Sequence, residues 1–163
     1  MKALSLTQPW ASLVAIGAKN IETRSWYSAY RGPVAIHASK GFPATARQWC
    51  TFDLFEEALL AGGYENADEL PVGSIVAVAN LVAVRSTETL AEFFRQFADG
   101  IKDIDGVVPA PNEVDFGDYS KRRYGLILDK VKRLGSPIPC RGALQFWNVP
   151  PEIAEQLEQV VPA

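Results

Sequence analysis

The sequence predicts an α+β fold, a small β-barrel or strongly bent sheet of about five strands with flanking short helices. The central observation is the run from Ser74 to Val84, which is too continuously apolar for a strand with one wet face. The other apolar segments are short and are separated by glycine, proline and serine, which favours many short elements. With 163 residues, of which 48% are hydrophobic and 21% charged, the chain has the size and composition of one domain spanning 1–163.

The N-terminal part of the chain contains a helix followed by two strands. Thr7 and Pro9 are predicted to form the cap and the first turn of a short helix whose apolar stripe ends at Gly17. Strands are predicted at 21–26 and 32–38, and a turn rich in serine, tyrosine and glycine joins them. The first predicted strand therefore follows almost directly after the helix.

The middle of the chain is predicted to form a helix, a strand and a second helix. The segment 44–61 is rich in alanine, leucine and glutamate, which predicts a helix that ends at the two glycines after it. A Pro-x-Gly turn precedes the central strand at 74–84. One leucine and three phenylalanines share a face of 89–97 at helical spacing, which predicts another short helix.

The C-terminal part begins with an aperiodic segment. Residues 98–118 contain glycines, prolines and acids, and we expect a loop insertion within the domain that is either functional or disordered. Alternation predicts a strand at 124–134, and a last strand is predicted at 143–149, after two prolines and a glycine. Pro151 is predicted to open a terminal helix that runs through Val160.

Several classes of function are not indicated. The N-terminus lacks a basic run before a long apolar stretch, and no segment approaches the roughly 18 apolar residues of a membrane span, so we expect a cytoplasmic protein without a membrane partner. Cys50 and Cys140 form no C-x-x-C pair, which favours two reduced thiols over one long-range disulfide. His37 is the only histidine, and no phosphate loop or H-E-x-x-H motif is present. We therefore expect no metal and no cofactor.

The charges are distributed unevenly along the chain. The net charge is −3, yet the segment 119–142 contains seven basic residues and one acid, which gives +6 there and −9 elsewhere. Such a basic segment either contacts phosphates or is an ordinary solvated surface, and the charge run alone does not decide between the two. The candidates for phosphate contact are Lys121, Arg122, Arg123, Lys130 and Lys132.

Three charged residues lie close together at the start of the first predicted strand. On a regular strand Glu22 and Arg24 share a face, whereas Lys19 points away unless an irregular turn after Gly17 rotates it. A carboxylate between two cations could recognise the hydrogen-bonding edge of a nucleobase together with its phosphate. The planar guanidinium of Arg24 can donate to phosphate or carbonyl oxygens, and Glu22 can accept from an amine or amide N–H. The alternative is a surface ion-pair ladder, which contributes about 0–1 kcal/mol per pair.

These residues also carry a family resemblance. The stretch 17–24 reads GAKNIETR and matches G-x-K-x-x-E-x-R, the pattern of ASCH domains, the activating-signal-cointegrator homology family. The chain also resembles longer bacterial ASCH proteins at LSLTQPWASLV, RGPVAIHAS, GSIVAVANLV and CRGALQFWNV. The resemblance implies a single PUA-like β-barrel domain with a cleft beside the motif. It also implies a place in a superfamily whose other branches bind RNA, often at a modified base.

Two functions follow as alternatives. In the first, the chain is a module that binds RNA or a modified nucleoside through Lys19, Glu22 and Arg24. Some bacterial ASCH proteins are instead amidohydrolases that use a lysine matching Lys19, a threonine where this chain has Glu22, and a further glutamate. The second function is therefore a small hydrolase, of an N-acylated nucleoside or of RNA, with Lys19 and Glu22 as its catalytic residues.

Three further residues are candidates for the cleft. Trp26 follows the motif, and an aromatic ring there either stacks on a base or packs in the core. His37 and Ser39 end the second strand, where they either face the cleft or form structural hydrogen bonds. We expect the protein to be a monomer or a weak homodimer.

Overall fold

In the part of the chain that the structure describes, six strands form one curled half-barrel sheet, and five short helices pack against it. The computed structural model describes residues 1–97 and 102–161. The strands are β1 (Lys2–Leu6), β2 (Ile21–Arg24), β3 (Gly32–Ala38), β4 (Ser74–Ser86), β5 (Tyr124–Pro139) and β6 (Phe146–Asn148). The helices are α1 (Trp10–Ala15), α2 (Ala44–Trp49), α3 (Asp53–Ala61), α4 (Thr87–Gln96) and α5 (Pro151–Glu158), with one turn of 3-10 helix at Ala67–Glu69.

The sheet has the strand order β2-β5-β4-β3-β1-β6. Strands β1 and β3 pair in parallel, and the other neighbouring strands described in this sheet are antiparallel. The predicted α+β class with a barrel-like sheet and short flanking helices is confirmed. The strand that sequence analysis did not predict is β1, because five residues directly before a helix carry little periodic signal.

The curl of the sheet comes from its two longest strands. The pairing of β4 with β5 changes register at three places, between Ile75 and Ala77, between Val78 and Asn80, and between Leu81 and Ala83. Such register changes arise where one strand has residues without a partner on the other strand. These unpaired residues bend the strand and increase its local twist. The strand β5 also continues to Pro139, five residues past the predicted end at 134. We expected Pro137 and Pro139 to lie beyond the strand. Proline is nevertheless compatible with a strand at a position whose N–H is not needed to pair with the neighbouring strand.

Two helix predictions were wrong in detail. The segment 44–61 forms two helices, α2 and α3, and the chain between them is not helical at Phe52, which has an extended backbone. Thr7 does not cap α1, since Pro9 is in the N-cap position without a side-chain hydrogen bond. The neighbouring Gln8 fills that role, because its Oε1 accepts from the Ser12 N–H at 3.0 Å.

The centre of the sheet is covered on both faces. On one face, α1 packs Ala11 and Val14 against buried residues of β1, β3, β4 and β5. On the other face, α5 packs Ile153 and Leu157 against further residues of β1, β3 and β4. The strand β4 is therefore buried on both sides, which explains why its sequence is apolar without alternation.

Candidate functional site

The turn between α1 and β2 places Lys19 inside the protein. Helix α1 is closed by Gly17, whose φ of +79° favours glycine, and the Ala18 and Lys19 N–H groups both donate to the Leu13 carbonyl. This irregular turn rotates the side chain of Lys19 toward the same side as Glu22. Lys19 has 0% of its surface exposed and donates from Nζ to the Ile21 carbonyl oxygen.

Four charged side chains then form one continuous chain. Lys19 Nζ lies 3.4 Å from Glu113 Oε1 and 3.8 Å from Glu22 Oε2. Glu22 Oε1 lies 3.1 Å from Arg24 Nε, which makes no hydrogen bond of good geometry, so this contact is an ion pair only. Arg24 is held in place by a hydrogen bond of 2.8 Å from Nη2 to the Ser5 carbonyl oxygen. Two carboxylates and two cations balance, and the cluster is neutral overall.

Glu113 is the member that sequence analysis missed. It lies in the aperiodic segment, is 1% exposed, and accepts from the Asn20 N–H at 2.8 Å and from the Ile21 N–H at 2.9 Å. Burial raises the pKa of its carboxyl, and the charge of Lys19 and the two backbone N–H groups oppose that rise. The only signal in the sequence was the length of the loop, because several acids near Glu113 have the same local context.

The predicted loop at 98–118 is folded against β2 over its described part, and 98–101 lie outside the described residues. Asn20 donates from Nδ2 to the Val108 carbonyl oxygen at 2.9 Å, and its Oδ1 accepts from the Ala110 N–H at 3.2 Å. The Asp118 N–H donates to Thr23 Oγ1 at 3.1 Å. Segment 102–118 thus covers the buried end of the charged cluster.

Tyr119 closes the same region. Its hydroxyl oxygen is buried and has no hydrogen-bond partner among the described residues. Burial raises the pKa of this phenol strongly, and the charges of Glu113 and Glu22 raise it further. The hydroxyl therefore stays protonated, as a buried donor that no described residue accepts from.

Two clefts lined by described residues adjoin the cluster, and the larger cleft has a volume of about 1010 Å³. It lies between the ends of β1 and β3 and the loop at 140–145, and Arg24, Lys40 and Arg141 line it. No carboxylate is among its described lining residues. Val72, 43% exposed, and Leu144, 91% exposed, supply an apolar wall. The cleft is therefore positively charged in a chain whose net charge is −3.

A hydrogen-bonded chain forms the floor of this larger cleft. His37 Nε2 lies 2.9 Å from the Cys140 carbonyl oxygen, which only accepts, so Nε2 donates. Burial lowers the pKa of His37, although the bond to Cys140 opposes the change, and a neutral ring must then accept at Nδ1. The Ser5 hydroxyl, 3.0 Å away, donates to Nδ1 and accepts from Trp147 Nε1 at 3.0 Å. His37 and Ser5 therefore hold the loop that carries Arg141.

Close packing of this loop depends on Gly142. A Cβ atom at that position would lie 2.4 Å from His37 Cε1 and 2.8 Å from Ser5 Oγ. No side chain fits there without movement of the floor, so the backbone of the loop rests directly on the histidine ring.

The smaller cleft has a volume of about 440 Å³ and lies on the other side of the Glu22 to Arg24 ion pair. Its lining combines aromatic rings with acids, namely Trp10, Trp49, Phe55, Phe116, Glu22, Asp115 and Asp118, together with Thr23, Gly117 and Arg123. Segment 102–118 thus contributes to this cleft as well as to the buried cluster.

The structure divides the predicted site residues between these places. Arg24, His37 and Ser39 line the larger cleft, Glu22 lines the smaller one, and Lys19 lines neither. Trp26 lines neither cleft and packs edge-on against Phe146, with ring centroids 5.4 Å apart. The predicted trio is therefore in contact, but its members do not share one open cleft.

The basic residues predicted to contact phosphate do not line the larger cleft: Lys121, Arg122, Arg123, Lys130 and Lys132. Arg123 lies 3.2 Å from Asp118 Oδ2 and donates from Nη2 to the Thr23 carbonyl oxygen at 3.3 Å. From the basic segment, Arg141 is the residue that reaches the larger cleft.

The comparison with protein families decides the classification. The family model described as the ASCH domain matches residues 4–132, which contain all four charged side chains of the cluster. The chain belongs to the ASCH family. The match ends before β6 and α5, so the loop at 140–145 lies outside it.

Curated and solved ASCH relatives agree with this assignment. The chain is 31% identical over 96 residues to activating signal cointegrator 1 of Mus musculus and of Homo sapiens, a stretch that covers 59% of this chain and 16% of each relative. Crystal structures of the ASCH protein of Zymomonas mobilis share the fold, at 14% identity and a TM-score of 0.54 for the wild type and 0.55 for a point mutant. These alignments cover 98% of this chain and 94% and 96% of those chains.

The described residues contain neither a group that could hold a metal ion nor a helix that could span a membrane. Within residues 1–97 and 102–161, histidine, cysteine, aspartate and glutamate form no group of three or more that could hold a metal ion. Over the same residues, every helix is too short or too polar to cross a bilayer.

Proposed function

We propose that this ASCH domain binds single-stranded RNA or a phosphorylated, modified nucleoside in the larger cleft. The observation that carries the proposal is the lining by Arg24, Lys40 and Arg141 without a carboxylate among the described lining residues. Lys40 and Arg141 are exposed, and neither forms an ion pair with a described residue. Cations of this kind bind phosphate oxygens by charge-assisted hydrogen bonds.

The shape of the cleft supports the same class of ligand. A volume of about 1010 Å³ is at the upper end of the range for small-molecule sites and accommodates a nucleotide or a short strand. The exposed Leu144 and Val72 offer apolar surface against which a base can lie. The family assignment agrees, because ASCH domains are PUA-like and are thought to bind RNA. Lys121, Arg122 and Lys132 remain predicted contacts for phosphates further along a strand.

Substitution of Arg141 tests the proposal. Arg141→Ala is expected to weaken binding of a fluorescently labelled single-stranded RNA about tenfold, because one hydrogen-bonded charge contact is lost. The slope of log affinity against log salt should fall by about 0.7, the amount expected for one phosphate contact with a single strand. Fluorescence anisotropy over a salt series measures both quantities, and mononucleotides with and without a modified base are tested in parallel.

Arg95→Ala is the matched control, since Arg95 is an exposed arginine on α4 that pairs with Glu92 outside both clefts. It should leave affinity and salt slope near the values of the unsubstituted chain. Equal losses for Arg95→Ala and Arg141→Ala, or binding that does not respond to salt, would contradict a phosphate site in this cleft.

A second candidate function is favoured by one contact. Glu113 Oε1 lies 3.4 Å from Lys19 Nζ, and we propose it as the counterpart of the further glutamate that ASCH amidohydrolases use, although Glu22 stands in place of their threonine. We propose hydrolysis of an acylated nucleoside or of RNA as the alternative. Lys19 is fully buried and lines neither cleft, so the geometry supports binding better than catalysis.

Product analysis separates the two functions. The chain is incubated with acylated nucleosides and short RNAs, and products are followed by mass spectrometry beside Lys19→Ala and Glu22→Gln. Loss of an acyl group or strand cleavage that both variants abolish, with their fold intact, would establish the hydrolase. Binding without any product would leave the charged cluster with a structural role.

A further inference from the structure

The smaller cleft is walled by aromatic rings at steep angles to one another. Trp10 and Trp49 have ring centroids 6.2 Å apart at 61°, and Phe55 lies 6.2 Å from Trp10 at 87° and 5.3 Å from Trp49 at 42°. Phe55 and Phe116 are 3% and 1% exposed and form the floor, whereas Trp49 is 43% exposed at the mouth. Together these rings give the cleft an apolar, electron-rich lining on several sides, and aromatic π-systems attract cations.

The charges around these rings are mainly negative. The charged residues among its described lining are three carboxylates, Glu22, Asp115 and Asp118, and one cation, Arg123. Arg123 is already engaged by Asp118 and by the Thr23 carbonyl oxygen, and Glu22 is engaged by Arg24. Asp115 is exposed and forms no ion pair with any described residue. Its carboxylate is therefore available to a ligand of positive charge.

We propose that the smaller cleft binds an N-methylated organic cation. Such a cation is supplied either by a methylated ammonium group or by the ring of an N-methylated, cationic nucleobase, and both sources share the same chemistry. The ring faces attract the delocalised charge, the methyl groups contact the apolar floor of Phe55 and Phe116, and Asp115 balances the charge.

Other ligand classes fit this cleft less well. Phosphate is disfavoured, because three carboxylates line the site and its arginine is already paired. A primary ammonium group keeps three N–H donors that need acceptors; the unpaired Asp115 carboxylate can accept some of them, but the indole and phenyl rings supply no strong acceptor for the rest. Methylation removes those donors and adds apolar surface, so a methylated cation loses less hydration when it enters an aromatic site.

This site is distinct from the RNA cleft of the proposed function. The described lining residues of the two clefts do not overlap, and the Glu22 to Arg24 ion pair joins one residue of each. A nucleotide with a cationic methylated base could engage both clefts, but the inference does not require one. Ligands without phosphate lack the group that the cations of the larger cleft bind, and the variants below assign their binding to the smaller cleft.

Two ligand pairs give the test: the first differs by one positive charge, and the second by one positive charge and the methyl group that introduces it. Calorimetric titrations compare choline with its neutral carbon isostere, and N7-methylguanosine with guanosine at a slightly acidic pH at which the methylated ring is cationic. In at least one pair the cation is expected to bind about fivefold more tightly than its neutral partner. The pair that shows the preference identifies the source as an ammonium group or a nucleobase.

Variants assign the binding to the cleft. Trp49→Ala and Asp115→Asn are each expected to lower affinity for the preferred cation about fivefold. Tyr27→Ala and Glu155→Gln are the controls, since Tyr27 is a 56% exposed aromatic and Glu155 an exposed acid on α5, both outside the cleft. Asp115→Asn is nearly isosteric, so it remains informative if Trp49→Ala fails to fold.

Three results would overturn the inference. The first is equal affinity for cation and neutral partner in both pairs, and the second is no binding of either cation. The third is an equal effect of cleft and control variants. None of these bears on the salt-dependent RNA binding that Arg141→Ala tests, so failure of one proposal can be told from failure of the other.

Discussion

Lys19→Met is expected to lower the free energy of unfolding by about 3–5 kcal/mol at neutral pH, the cost of removing one partner from a buried ion pair. Lys19 is fully buried, and its Nζ lies within 3.8 Å of two carboxylates. Methionine fills a similar volume, so the loss is mainly electrostatic rather than a cavity. Glu22 keeps its ion pair with Arg24, whereas Glu113 is left with backbone N–H donors alone. Urea denaturation measures the difference.

The loss of stability caused by Lys19→Met should depend on pH, and the titration of Glu113 determines whether it grows or shrinks. Burial raises the pKa of this carboxyl above its ordinary 4.5, so the folded state binds the proton more tightly than the unfolded state. The stability that Glu113 contributes is therefore present below about pH 4.5 and is lost as pH rises through the folded pKa. Lys19 opposes the rise, and its removal moves that pKa higher still. The deficit of Lys19→Met should thus shrink as the pH is lowered from neutral toward 4.5.

Two further variants make this test specific. Glu113→Gln in the Lys19→Met background removes the uncompensated charge and should recover part of the lost stability at neutral pH. Lys132→Met changes an exposed lysine and should shift stability by less than about 0.5 kcal/mol. A deficit that is the same at every pH, or one that Glu113→Gln does not relieve, would mean that Lys19 acts through packing alone.

The parts of the site that could be predicted from sequence are those set by local spacing. Glu22 and Arg24 share a face because they are two apart on β2, and the helix-ending Gly17 marks the turn that brings Lys19 to the same side. The unbroken apolar run of β4 likewise predicted a central strand, because a strand covered by α1 and α5 has no wet face.

The parts that could not be predicted depend on contacts between distant positions. Glu113 reaches Lys19 across 94 positions, and Trp147 reaches Ser5 across 142. Spacing within a segment contains no information about such contacts, and the sequence around Glu113 differs little from an exposed acidic loop. The division of the charged trio between two clefts was hidden for the same reason, since Asp115 and Arg141 come from segments far along the chain.

The aperiodic segment itself belongs to the core, at Phe116. This side chain is 1% exposed and packs edge-on against Phe55, with ring centroids 4.7 Å apart. The same cluster contains Leu13 of α1 and Leu59 of α3. A residue within a stretch predicted to be either functional or disordered thus joins two helices, and it also forms part of the floor of the smaller cleft.

Phe116→Ala is therefore expected to cost about 3–5 kcal/mol, as for other fully buried phenylalanines. In a thermal melt this corresponds to a Tm lower by roughly 10 °C for a chain of this size. Val114→Ala, two residues away and 50% exposed, should change stability by less than about 0.5 kcal/mol. If Phe116→Ala and Val114→Ala lowered stability by equally small amounts, segment 102–118 would be only loosely attached, and it would not keep Lys19 covered in solution. A large loss for Phe116→Ala with little change for Val114→Ala would instead mean that the segment is firmly packed in the folded protein. A ligand would then meet a preformed aromatic cleft, and Lys19 would stay out of reach of substrates.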